Sequence, residues 1–196
     1  MLSYIGTRPA LTHLVDLIWR FSPRPPLQAA QTFESPMQDP MVTTILSALE
    51  SVRGDYYRLV FVGPVAEPYL LAISRTTRFP LINLSLEISR LLIDVPPARR
   101  ARDLPGIAES LLDHVNAEGV ILNRLELLFL PSLSHDPVRT LLRLSRNLTI
   151  LAVWPGEMEG DRLRYAEPAH PEHVDHDATD LVVVSGSNIA SAGRTG

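Results

Sequence analysis

The chain has 196 residues, of which 18 are basic and 22 acidic, giving a formal net charge of -4, with 45% hydrophobic residues and no Cys. These values suit one globular domain with a sizeable core. They exclude disulfides, thiolate nucleophiles and Cys-based metal sites, and they give no electrostatic ground for nucleic-acid binding by the chain as a whole. The basic residues are all Arg; Lys is absent. No run approaches the roughly 20 uninterrupted apolar residues of a membrane-spanning helix. The opening stretch "MLSYIGTRPALTHLVDLIWRF" carries Asp16 and Arg20 within its apolar part and has no small-residue cleavage site, so it does not read as a secretory signal, and the expected location is cytoplasmic.

In chain order, residues 1–40 stand apart. The pattern predicts a short helix over about 10–21, followed by an extended linker in "SPRPPLQAAQTFESPMQDP", whose prolines block helix formation. "MVTTILSALESVR" places apolar residues at 42, 45, 46, 49 and 52, one face of a helix. "YRLVFV" predicts a strand, "PYLLAISRTT" a helix opened by Pro68, "FPLINLSL" a strand, and "EISRLLID" a helix stopped by Pro96 and Pro97. "LPGIAESLLDHVNA" predicts a helix with Pro105 near its start, and "GVILNRL" a short apolar strand followed by an apolar helix in "LELLFLPSL". "DPVRTLLRLSRN" predicts a helix with Asp136 as N-cap and Pro137 behind it. "LTILAVW", "RLRYAE" and "DLVVVS" predict further strands, and residues 186–196 a disordered tail.

The strands alternate with helices, and the central ones are apolar throughout. Strands buried on both faces have that composition, so the expected fold is α/β: three layers, with a mostly parallel central sheet and helices on both faces, over residues 41–185.

The candidate chemistry centres on "GPVAEPYL", directly after the strand that ends at Val62. A phosphate loop reads G-x-x-x-x-G-K-[ST] between a strand and a helix. Gly63 fits the first position. Pro68, Tyr69 and Leu70 stand where Gly, Lys and Ser/Thr would, so a phosphate-donating N–H, the ammonium and the Mg²⁺-binding hydroxyl are all replaced. A Walker B strand ends in an acid that holds Mg²⁺, whereas "GVILNRLE" ends its apolar run at Asn123, with Glu126 three residues on. A plain turn after a buried strand accounts for both stretches equally.

Three other constellations carry weaker signals. Arg139, Arg143 and Arg146 fall on one stripe of the predicted helix, facing either solvent or an acidic or nucleic-acid partner. "AHPEHVDHD" spaces His170, His173 and His176 three residues apart, with Glu172 and Asp175 between them and Asp177 directly after. These are potential metal ligands on what reads as an exposed loop. No nucleophile elbow is present, so no catalytic residue is assigned.

The order of "YYRLVFVGP", "PLINLSLEISRLL", "VILNRLELLFLPSLSHDPVRTLLRLSRNLTILAVWPG" and "RLRYAEPAHPEH" resembles the BrxF family, the small P-loop-containing proteins of type 3 BREX anti-phage systems. The likeness runs from about Met41 to Ser185. It implies a P-loop NTPase-like fold, with ATP and Mg²⁺ as the family's ligands. Other BREX components are its implied partners, the large BREX ATPase among them. Gly63 matches the family's first Walker A glycine and Glu126 an acidic position. Pro68, Tyr69, Leu70 and Asn123 depart from the family's pattern. Those departures imply a silent subunit that works through protein contacts. Two alternatives stay open. One is an ATPase that uses Arg75 or Arg78 for the missing Lys and Glu126 as base. The other is a nucleic-acid contact through Arg139, Arg143 and Arg146.

Overall fold

In the computed structural model, residues 39–185 are described. The expected helix over 10–21, the Pro-rich linker and the tail from 186 lie outside them. Asp39 opens α1 (Pro40–Ser51) by accepting the Met41 N–H at 2.8 Å, and Val42, Ile45 and Leu49 form its buried face. The chain continues through β1 (Leu59–Val62), α2 (Glu67–Thr77), β2 (Leu81–Asn83), α3 (Leu84–Leu92) and α4 (Pro97–Asp113). Next come β3 (Gly119–Asn123), two 3-10 turns (Glu126–Phe129 and Pro131–Leu133), α5 (Pro137–Leu144) and β4 (Thr149–Val153). It ends with β5 (Glu157–Glu159), β6 (Arg162–Tyr165), β7 (Val174–Asp177) and β8 (Val182–Val184).

The main sheet has the order β2-β3-β4-β1-β8, and all of its pairings are parallel. Its central strands are buried on both faces, as their unbroken apolar composition requires. Leu59 and Phe61 face one way with Val120, Leu122, Ile150 and Ala152, against a core supplied by α3, α4 and α5. Val60 and Val62 face the other way with Ile121, Leu151 and Val153, against α1 and α2. The expected three-layer α/β architecture with helices on both faces is present. A second sheet, β5-β6-β7, is antiparallel and follows β4. Among the described residues no helix is long and apolar enough to cross a membrane.

The structure corrects four expectations. The strand expected over "FPLINLSL" stops at Asn83, because the Asn83 side chain accepts the Leu86 N–H at 3.0 Å and starts α3 there. The apolar "LELLFLPSL" forms two 3-10 turns instead of a helix, since Pro131 cannot continue one. The stretch containing the three histidines is not all loop: Val174–Asp177 is β7, paired with β6. Finally, α4 starts at Pro97, so Pro105 lies inside the helix.

A Pro inside a helix has no N–H, and its ring crowds the carbonyl four residues back. That carbonyl, on Ala101, is met instead by His135 Nε2 from the turn before α5. The substitution His135→Phe should therefore cost about 1–2 kcal/mol in urea unfolding. In a Pro105→Ala background an N–H returns to position 105 and can take the Ala101 carbonyl, so the same change should cost clearly less. Equal costs in both backgrounds would show that His135 matters for another reason.

Candidate functional site

The chain leaves the neighbouring strands β1 and β4 on opposite faces. After β1 it enters α2, which packs with Val60 and Val62. After β4 it enters the small sheet, whose Leu163 packs with Phe61 and Ala152 on the other side. In open α/β sheets such a divergence leaves a crevice at the carboxyl ends of the strands, where ligands bind. An open cleft of about 470 Å³ lies there, bordered by Val62, Gly63, Val65, Met158 and Val184.

The turn at Gly63 is wired into the fold. Its N–H donates to the Val184 carbonyl at 3.3 Å, extending the β1–β8 ladder, and so is not aimed at a ligand. A Cβ built on Gly63 would meet the Met158 sulfur at 3.3 Å. The thioether thus lies beside Gly63, and both border the cleft. Among the described residues, the cleft border carries Glu157 and Glu159 and no cation. Glu159 pairs with Arg164 at 2.7 Å. Carboxylates at the mouth of a cleft disfavour an anion.

At the start of α2, Pro68 has no N–H, and the N–H groups of Tyr69 and Leu70 both donate to the Ala66 carbonyl, at 3.0 and 3.4 Å. Leu70 is 1% exposed and belongs to the core shared with Val60, Val62, Ile73 and Ile121. Tyr69 is half-buried and packs on the same core. The position where a Ser/Thr would reach for Mg²⁺ therefore points into the sheet. The helical period dictates this: Leu70 and Ile73 fall on one face, and that face covers β1.

The Walker B-like positions serve their own turn. The Asn123 side chain accepts the Arg124 N–H at 2.8 Å, and Arg124 adopts a left-handed φ of 57°. The Arg124 carbonyl takes both the N–H (2.9 Å) and the hydroxyl (2.7 Å) of Ser85, whose oxygen accepts the Leu127 N–H at 2.9 Å. Glu126 forms an exposed ion pair with Arg124 at 3.7 Å, of the kind that contributes little. Glu126 also acts on Tyr165 of β6: burial first, then the carboxylates of Glu172 and Glu126, push that phenol above its ordinary range.

Of the predicted site residues, only Gly63 borders the cleft; Pro68, Tyr69, Leu70, Asn123 and Glu126 do not. Of the groups a triphosphate with Mg²⁺ would use, the Gly63 N–H is bonded to Val184, Pro68 has no N–H and Leu70 carries no hydroxyl and is buried. Arg75 lies in the last turn of α2 and Arg78 is its C-cap, at the end of the helix away from Gly63. At 1.5 Å per residue an 11-residue helix spans about 16 Å, so neither guanidinium stands in for the missing Lys.

The Arg stripe is also redistributed. α5 ends at Leu144, so Arg146 lies beyond the helix. Arg139 pairs with its own cap Asp136 at 3.6 Å, and Arg143 pairs with Glu109 of α4. In the histidine segment, the His170 ring accepts the Glu172 N–H at 3.2 Å, and His173 Nδ1 lies 3.0 Å from the Ala166 carbonyl. Asp175 is bound by Arg162 at 2.7 Å, and that guanidinium holds its carboxyl below the ordinary range. Asp177 accepts from the Thr179 N–H and hydroxyl, which lowers its pKa in the same way. Among the described residues no group of three or more His, Asp or Glu is arranged to hold a metal ion.

No protein-family model, curated protein or solved structure matches the chain.

Sequence reasoning missed Met158 and its hairpin. The signal for it was present: Gly160–Asp161 separates "EME" from "RLR", and a Gly-Asp pair between two alternating runs marks a hairpin. Met158 pairs with Leu163 across that hairpin, while the flanking Glu and Arg residues face outward.

Proposed function

We propose that this chain is a phosphate-loop-like binding module without ATPase chemistry, acting by engagement of another protein. One observation carries the reading. A strand–turn–helix unit stands at the carboxyl end of β1, where an open α/β sheet takes its ligand, yet the turn is tied to Val184 and has the Met158 thioether beside it. On this reading the unit is a phosphate-loop-like turn that has given up its grip on a triphosphate. Removing a single electrostatic donor of this kind already costs on the order of 3 kcal/mol in a transition state. Here the ammonium, the metal-binding hydroxyl, a loop N–H and the acid are all replaced, so a silent subunit is the consistent assignment.

The likeness of the "LELLF" to "WPG" block and of "YAEPAHPE" to the BrxF family supports one choice of partner. It is another component of a type 3 BREX system, the large ATPase being the first choice. The test is affinity purification of the full-length chain from cells that express the whole operon. Co-elution with a BREX component is expected, and a chain that elutes with none of them refutes the assignment.

A further inference from the structure

The loop entering β1 and the turn entering β4 meet at the amino-terminal end of the sheet, opposite the cleft. Tyr56 and Tyr57 project there, 68% and 39% exposed, with ring centroids 4.7 Å apart and planes at 75°. The Arg146 guanidinium carbon lies 5.3 Å from the Tyr56 ring centroid and 5.6 Å from that of Tyr57. Its Nη2 reaches the Tyr57 hydroxyl at 3.4 Å. Arg58 joins the group by donating from Nη2 to the Arg146 carbonyl at 3.0 Å.

Unpaired Arg also occurs elsewhere among the described residues, as at Arg100, whose Nε donates to the Val95 carbonyl, but what sets this group apart is two guanidinium groups beside two exposed rings. Arg53, on the same loop, is neutralised by Glu50 and Glu118. Arg139 and Arg143 are likewise paired. Arg58 and Arg146 have no ion pair among the described residues: Arg58 donates to a carbonyl, and Arg146 lies against the two tyrosines. Two guanidinium groups outside any ion pair thus flank two exposed aromatic rings, with the Glu109 carboxylate acting on Arg146 only from a distance. Folding alone does not call for that arrangement, because neither ring is buried and each would gain from cover.

We propose that Tyr56, Tyr57, Arg58 and Arg146 form a stacking platform for single-stranded nucleic acid. Bases lie on the tyrosine rings, and the two guanidinium groups take the flanking phosphates. Stacking on aromatic faces with Arg nearby is how single strands are held without sequence preference. The planar fork of Arg matches a phosphate. An acidic peptide would use the two Arg but leave the rings idle, so the rings favour nucleic acid. With a net charge of -4 over the whole chain, binding is local, weak and limited by salt. This site lies at the other end of the sheet from the cleft and stands independently of the role proposed above.

The test is fluorescence anisotropy of a short fluorescein-labelled oligothymidylate titrated with the full-length protein at low salt. Saturable binding is expected, with log K falling against log salt at a slope of about -1.4, the value for two phosphates on a single strand. Tyr56→Ala and Tyr57→Ala should each weaken binding about tenfold, while the Phe variants keep it. Tyr56→Ala should melt with the parent protein, since its ring is exposed. Arg58→Gln with Arg146→Gln should flatten the salt slope. The proposal is overturned by no binding at low salt, or by alanine variants that bind as the parent does. Equal affinity for a duplex, or displacement of the oligonucleotide by polyglutamate at matched charge, would overturn it too.

Discussion

Replacing Trp154 by Ala should lower stability by about 3–5 kcal/mol, the range for deleting a large aromatic from a packed core. Trp154 is fully buried at the end of β4. Its ring stands edge-on to Phe61 at 5.8 Å and to Phe129 at 5.2 Å, and Phe129 in turn packs on Tyr165 at 4.0 Å. These four rings run from β1 to β6. The indole N–H also donates to the Arg164 carbonyl at 2.8 Å. One side chain therefore fills the core and fastens the small sheet to the main one. Trp154→Phe separates the two roles: it keeps much of the packing and leaves the Arg164 carbonyl without its donor, which should cost about 1–3 kcal/mol. Urea denaturation followed by circular dichroism reads both variants. Equal losses would mean that the hydrogen bond, and not the ring volume, dominates.

The second expected result concerns Leu70. Leu70→Thr writes the Walker A hydroxyl back into the sequence, and in a working phosphate loop that residue faces the metal. Here the change removes apolar volume from a site that is 1% exposed and buries a hydroxyl among Val60, Val62 and Ile121. It should cost about 2–4 kcal/mol. For a domain of this size the melting temperature should fall by roughly 5–15 °C. Tyr69→Lys, one residue earlier and half-buried, should cost under about 1 kcal/mol. The order of the two variants is the informative result. If Leu70→Thr melts with the parent protein, the side chain at position 70 faces the cleft and not the core.

Much of this architecture was legible in the residues. "LVFV", "GVIL" and "TILAV" are apolar at every position, and only strands covered on both faces need that composition. α1 and α5 were equally plain, because Asp39 and Asp136 cap them and their apolar residues repeat at helical spacing. β5 and β7 were obscure because charge pairing, rather than burial, holds their outer face. "EME" and "VDHD" put Glu and Asp opposite the Arg residues of β6 and expose little apolar signal. The first half of α4, "PARRARDL", hid for a related reason: it is mostly polar, and its buried Leu104 comes just before the proline that seemed to mark a start.

The site was legible only to its first residue. Gly63 after a buried strand marked the right turn, and the replaced Lys and Ser/Thr positions marked its altered chemistry. What closes the turn comes from far along the chain: the Val184 carbonyl and the Met158 thioether, and no local pattern pairs distant residues. Asn123 read as a substitute for a metal-binding Asp. Its side chain instead caps a left-handed turn at Arg124, a task for which Asn is well suited.

The central claim is that the turn at Gly63 is a structural joint that lacks the donors for a triphosphate. Isothermal titration of the full-length protein with ATP and Mg²⁺ tests it most directly. No heat of binding at millimolar nucleotide is the expected result; saturable micromolar binding that disappears on Gly63→Val substitution would contradict it.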